Sequence, residues 1–157
     1  MEIKKYPLLT EIASIRHHTV IGHYQSTPRR YKQHEYKDFY TQDEIRKLVR
    51  FAAQRGIEII PEIDMPGHMQ AAVAAYPSWG CGYNTTEVRP LWGISQDILN
   101  VEEETIRSMK DILSEVMDLF PGRFIHIGGD EVPRYQWENS LRIQERMAEL
   151  GAGDEAE

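Results

Sequence analysis

The sequence predicts an α/β protein whose strands run parallel, and three observations carry this. Two short β-branched segments, 57–64 and 124–131, each follow an amphipathic helical stretch at once. The order along the chain is helix, strand, helix, strand, helix, and strands alternating with helices pair in parallel through right-handed crossovers. Within both segments isoleucines alternate with acidic or His residues, so one face of each suits a helix layer and the other looks into something polar.

The first helix element is short. Leu8, Leu9, Ile12 and Ile15 space out a helical turn or two with its N-cap near Pro7 or Thr10. Beyond it lie His17, His18 and His23, then a run rich in Tyr and Arg to Tyr40. That region reads as a long surface loop, and the His spacing fits no metal-ligand pattern. Thr41-Gln-Asp-Glu44 is a capping box: Thr41 is the N-cap and Glu44 sits at the third helical position. Ile45, Leu48, Val49 and Ala52 follow at helical spacing, and Gly56 stops the helix.

The segment 57–64 places Ile59 and Ile63 on one face and Ile60, Glu62 and Asp64 on the other. Pro61 lacks a ladder donor, which weighs against a central position in a sheet. Pro66 and Gly67 force a turn that sets His68 level with Asp64. An Ala-rich helix follows over about 69–75. Residues 78–99 form a long loop with Trp79, Tyr83 and Trp92, whose rings either stack on a sugar or fold the loop onto itself. Asn84-Thr-Thr86 fits the glycosylation sequon. Asn100 opens the next helix with Glu103 at its third position, and Ile106, Met109, Leu113, Val116, Met117 and Phe120 make its apolar stripe. Pro121-Gly122 ends it. A last helix, about 139–150, carries Leu141, Met147 and Leu150 and stops at Gly151.

Composition narrows the function. The chain has 157 residues, a formal charge of −7 and 41% hydrophobic residues. The acidic balance argues against nucleic acid as a partner. The single Cys81 excludes an internal disulfide and a multi-Cys zinc site. No apolar stretch is long enough for a membrane-spanning helix, and the N-terminus lacks the apolar core of a signal peptide.

The chemistry concentrates in Phe124-Ile-His-Ile-Gly-Gly-Asp-Glu-Val132. Strand alternation puts Phe124, His126, Gly128 and Asp130 on one face, with Ile125 and Ile127 on the other. Gly128 and Gly129 remove side-chain bulk just before two carboxylates, so a ligand or another backbone can come close. Carboxylates a few ångströms apart titrate apart, which yields one acid able to donate a proton beside one that stays charged. An Asp-Glu pair after a strand is commonly a plain helix start; the preceding His-x-Gly-Gly has no part in capping. Both acid-bearing motifs, Asp64 to His68 and His126 to Glu131, fall at the C-terminal ends of their strands, where sites of parallel α/β folds lie.

His126-Ile-Gly-Gly-Asp-Glu131 resembles the signature of family 20 glycoside hydrolases, the β-N-acetylhexosaminidases, and Pro61-Glu-Ile-Asp-Met-Pro-Gly-His68 is similar to their preceding strand and turn. Trp92-Gly-Ile-Ser, Ile98-Leu-Asn100 and the opening Glu2-Ile-Lys-Lys-Tyr-Pro-Leu-Leu-Thr10 extend the likeness over nearly the whole chain. The resemblance implies a (β/α)8 TIM barrel that removes terminal, non-reducing N-acetylglucosamine or N-acetylgalactosamine from β-glycosides. It implies a retaining, substrate-assisted reaction in which the substrate's acetamido oxygen is the nucleophile. By the same resemblance Glu131 is the general acid/base, Asp130 stabilises the acetamido group, and His68 belongs to a relay supporting the acid. Asp64 and His126 follow as pocket or supporting groups. No metal and no cofactor is implied. A barrel of this kind takes about 250 residues, so 1–157 is expected to be a fragment of one catalytic barrel, inactive in isolation. Two other readings stay open: a metal-dependent hydrolase with Asp64, His68, His126 and Asp130 as ligands, and a non-catalytic sugar-binding module.

Overall fold

The structure, a computed structural model, describes residues 1–83 and 85–155. Asn84, the acceptor of the sequon, and the last two residues of the acidic tail lie outside the described residues.

Helix α1 (Leu8–Glu11) starts from Pro7 as expected. The Tyr- and Arg-rich run after it is not a loop. Strands β1 (Ile15–Arg16), β2 (Thr19–Ile21), β3 (Arg30–Lys32) and β4 (Tyr36–Lys37) form two antiparallel pairs, β1 with β4 and β2 with β3. They nest as one long ribbon. Ile15, Thr19, Val20, Ile21, Tyr31 and Tyr36 are good strand formers, but runs of two or three residues are too short to leave an alternation in the sequence. The ribbon also takes up the histidines: His17 Nδ1 lies 3.2 Å from Glu35, His18 packs edge-on against Tyr31, and His23 stacks on Tyr24.

Helix α2 (Gln42–Ala53) carries the full capping box, with the Glu44 amide donating to Thr41 Oγ1 and the Thr41 amide donating to Glu44. The Thr41 amide, and then the Thr41 hydroxyl, donating to the Glu44 carboxylate hold it below the usual range. Gly56, at φ 70°, turns the chain out of the helix.

The two segments then pair in parallel. The His126 amide donates to Pro61 O at 2.9 Å, the Ile63 amide to His126 O at 2.9 Å and the Met65 amide to Ile127 O at 3.0 Å. Pro61 meets this neighbour with its carbonyl, so its missing N–H is no obstacle. Helix α3 (Gln70–Ala75) and a 3₁₀ turn (Pro77–Trp79) follow the first segment, and α4 (Glu103–Leu119) leads into the second. Helices α5 (Tyr135–Glu138) and α6 (Leu141–Leu150) end the chain, and Gly151 closes α6 in the left-handed region at φ 72°.

The core lies between α3, α4 and the two segments. Ile3, Val73, Trp79, Leu99, Met109, Ile112 and Val116 are buried together, with Ile63 and Ile125 packed onto them from the segments. The isoleucine face is therefore real for Ile63 and Ile125, whereas Ile127 is exposed. Burial decides the open choice for Trp79, and three other expectations, at Met117, the last helix and Asn100, need correction. Trp79 is 3% exposed and stacks on Tyr76 at 4.3 Å, so it belongs to the core and not to a sugar-binding wall. Met117 is 56% exposed, one helical position outside the buried stripe that ends at Val116 and Leu119. Helix α6 docks through Ile143, while Leu141 (83% exposed) and Leu150 face outward. Asn100 does not cap α4. Its Nδ2 donates to Ser78 O and Gly80 O, both at 2.8 Å, and its Oδ1 accepts from the Glu102 amide, so it ties the long loop shut one step before the helix. Among the described residues the parallel ladder joins two segments across a helical crossover, which establishes the α/β class but not a closed barrel.

The N-terminus is lashed to α4: the Lys4 and Lys5 amides donate to Glu115, Lys5 Nζ lies 2.7 Å from Asp111 and the Tyr6 hydroxyl donates to Asp111 at 2.8 Å. The Lys5 and Tyr6 hydrogen bonds hold the Asp111 carboxyl below its ordinary value. A depressed carboxyl stabilises the fold above its unfolded pKa and loses that contribution as the pH falls through the folded one. Urea titrations should therefore show Asp111→Asn less stable than the parent at pH 6, with the gap closing below about pH 4. Trp79→Ala should cost about 3–5 kcal/mol in the same assay, the signature of a core residue and not of a ligand platform.

Candidate active site

The site is built from two turns that end the paired segments. The first, 64–68, runs Asp-Met-Pro-Gly-His; the second, 128–131, runs Gly-Gly-Asp-Glu. Their contact depends on glycines. A β-carbon on Gly67 would stand 3.1 Å from Asp130 O and 3.3 Å from Glu131 O, so the first turn lies directly on the backbone of the second. One on Gly128 would collide with the Asp64 carboxylate and stand 2.8 Å from Asp64 Cα. At Gly128 only a residue without Cβ fits this approach, and at Gly67 a Cβ would crowd the second turn. The loop after α3 braces the first turn from outside. The Leu99 amide donates to Pro66 O at 3.0 Å, and Leu99 O accepts from Trp137 Nε1 at 2.8 Å.

Side chains from both turns then converge. His68 Nε2 lies 3.2 Å from Glu131 Oε2 and 3.9 Å from Asp64 Oδ2. Asp64 Oδ1 accepts the Gly129 amide at 2.9 Å, which pins the carboxylate between the turns. Asp130 and Glu131 are both solvent-exposed, beside the half-buried Asp64. His68 (φ 57°) and Glu131 (φ 50°) are the only non-glycine residues with positive φ among the described residues. Such conformations cost roughly 1–3 kcal/mol each and concentrate at functional positions. The fold holds the one imidazole–carboxylate contact between the turns in place from both ends, against local preference.

Asp64, His68 and Asp130 offer ligand atoms that all lie within 4.8 Å of one another. A tetrahedral zinc needs its donor atoms about 3.3 Å apart, tighter than the 3.9 Å between His68 Nε2 and Asp64. His126 does not join them. Its Nδ1 lies 2.8 Å from Glu62 Oε1, across the parallel bridge. That disposition removes the fourth ligand of the metal-dependent reading.

The family model described as "Glycosyl hydrolase family 20, catalytic domain" matches residues 1–157. The chain belongs to glycosyl hydrolase family 20. It is 41% identical to a β-hexosaminidase of Porphyromonas gingivalis and 40% identical to one of Vibrio furnissii, with all of this chain covered in both. It spans only 19% and 26% of their lengths. A crystal structure of a β-N-acetylhexosaminidase superposes with a TM-score of 0.86 at 33% identity, over 98% of this chain and 31% of that one. The family 20 exo-β-N-acetylglucosaminidase of Vibrio harveyi, solved with N-acetylglucosamine, superposes with a TM-score of 0.76 at 39% identity, over 98% of this chain and 24% of that one.

Within this family 20 domain, the five residues singled out from sequence fall into two groups. Asp64, His68, Asp130 and Glu131 come together on one rim. His126 forms a separate pair with Glu62 along the same strand face. Glu62 had been placed on the polar face without a role; its alignment opposite His126 is a matter of strand register, which nothing local encodes. The contribution of Gly67 was missed for the same reason. Gly128→Ala should lower stability by about 2 kcal/mol or more through the collision with Asp64. Glu131→Gly, which relieves a left-handed backbone, should raise it by about 1 kcal/mol. Paired thermal melts check both signs.

Proposed function

We propose that this chain carries the catalytic acids of a β-N-acetylhexosaminidase that releases terminal, non-reducing N-acetylglucosamine or N-acetylgalactosamine. The observation that carries the reading is the His68–Glu131 contact at 3.2 Å, with Asp130 adjacent on the same turn. Family membership and the likeness to solved β-N-acetylhexosaminidases support it.

In this reading Glu131 protonates the glycosidic oxygen as the bond breaks. The substrate's own acetamido oxygen attacks the anomeric carbon from the opposite face, giving a cyclic oxazolinium species and retention overall. Asp130 carries negative charge next to the acetamido group, where positive charge develops, and so favours the transition state over the ground state. Glu131 then takes a proton from the water that opens the ring. His68 orients Glu131, Asp64 holds the first turn against the second through the Gly129 amide, and His126 with Glu62 lines the polar face that the sugar meets. The full (β/α)8 barrel belongs to this proposal: the chain supplies one parallel crossover of it and, as an isolated fragment, is expected to turn over little or no substrate.

The test uses the protein that carries this domain and an aryl N-acetyl-β-D-glucosaminide. Glu131→Gln should lower kcat by about 10²–10⁴ with KM little changed, and Asp130→Ala by about 10²–10³. EDTA should leave the rate unchanged. Full activity in Glu131→Gln, or loss of activity in EDTA, refutes the assignment.

A further inference from the structure

The ribbon has a charge opposite to that of the chain. Between Arg16 and Lys37 there are five Lys and Arg residues and one acid, Glu35, a local +4 within a total of −7, so the remainder carries −11. Arg29, Arg30 and Lys32 are exposed and, among the described residues, none of them forms an ion pair. The register sets Arg30 opposite Ile21 and Lys32 opposite Thr19, so both cations project from the face of the ribbon opposite Tyr31.

An aromatic cluster sits against the ribbon's tip. Trp92, 51% exposed, packs at 4.7 Å on Tyr24 and 5.0 Å on His23, and its Nε1 donates to Gly22 O at 3.4 Å. Arg29 Nε donates to Tyr24 O at 2.6 Å, which ties this cation to the Tyr24 backbone. The Val20 amide donates to Pro90 O at 3.1 Å, so ribbon and loop form one surface. The ribbon leads into α2 and the loop into α4. A cleft of about 300 Å³ at the ribbon's base is lined by Ser14, Asp38 and Phe39 together with His68.

We propose that the ribbon tip and the Trp92 loop bind the sulfated or carboxylated residues of an anionic glycan. Unpaired cations held close together repel one another, and an anion relieves this; guanidinium groups match sulfate and carboxylate oxygens in two-point contacts. The half-exposed indole adds an apolar face for a sugar ring. The −11 carried elsewhere disfavours a long polyanion such as nucleic acid, whose charge would extend beyond the ribbon. The choice of a glycan as the anion rests on the hexosaminidase reading; the cationic platform does not.

Titration calorimetry of the protein that carries this domain, with Glu131→Gln so that turnover does not intervene, at about 50 mM salt and with a chondroitin sulfate hexasaccharide as probe, tests the inference. The sulfated probe should bind at least about tenfold tighter than neutral chitohexaose. The pair Arg30→Glu and Lys32→Glu should weaken it by about tenfold or more, and Trp92→Ala by about fivefold. Circular dichroism melts confirm folding, and Arg30→Gln with Lys32→Gln, which keeps the side-chain length without charge, should weaken binding in the same direction. No binding of the sulfated probe, binding indifferent to these substitutions, or equally tight binding of a single-stranded oligothymidylate of matched charge overturns the proposal. Because none of these residues lies among the acids, failure here leaves the Glu131→Gln result standing, and the reverse holds too.

Discussion

The contact between two glycine-bearing turns is what the site depends on. Gly67 lies against the carbonyls of Asp130 and Glu131, and Gly128 leaves room for Asp64. With that separation fixed, the Asp64 carboxylate reaches the Gly129 amide and His68 reaches Glu131. A side chain at Gly128 would collide with Asp64, and one at Gly67 would press the second turn away by a few tenths of an ångström. Packing of the turns therefore comes first, and the polar contacts follow from it.

The parallel ladder, the core beneath it and the loop after α3 hold this contact in place. The parallel hydrogen bonds between Pro61, Ile63, Met65 and the 124–131 segment set the register. Ile63 and Ile125 seat the segments on the core formed by α3 and α4. Leu99 and Trp137 brace the first turn from the outside. The strained backbone at His68 and Glu131 persists because these supports determine it from several sides. Asp130 and Glu131 remain open to solvent.

Legibility from sequence followed the range of the interaction. The capping box at Thr41 and the glycine stop at Gly151 are local, and both appear where the residues place them. The pairing of isoleucine and acid faces was legible at Ile63, Ile125, Glu62 and His126. It failed at Ile127, because burial depends on what lies above a residue and not on the face it occupies. The ribbon was missed because its strands are two or three residues long. Trp79 and Trp92 look alike in the sequence, in a loop full of Gly and aromatics. One is in the core beside Tyr76 and the other half-exposed beside Tyr24, a difference made by contacts far apart along the chain.

By itself the sequence determined the longer helices, the α/β class, the acidic motifs and the resemblance to glycosyl hydrolase family 20, which the family model bears out. These depend on residue type and on separations of a few positions, which a linear chain carries directly. The tertiary structure decided which acids meet, that His126 turns to Glu62, and that the base of the ribbon shares a cleft with His68. Those outcomes are set by register and by the packing of turns more than sixty residues apart, and no local preference of the backbone encodes them.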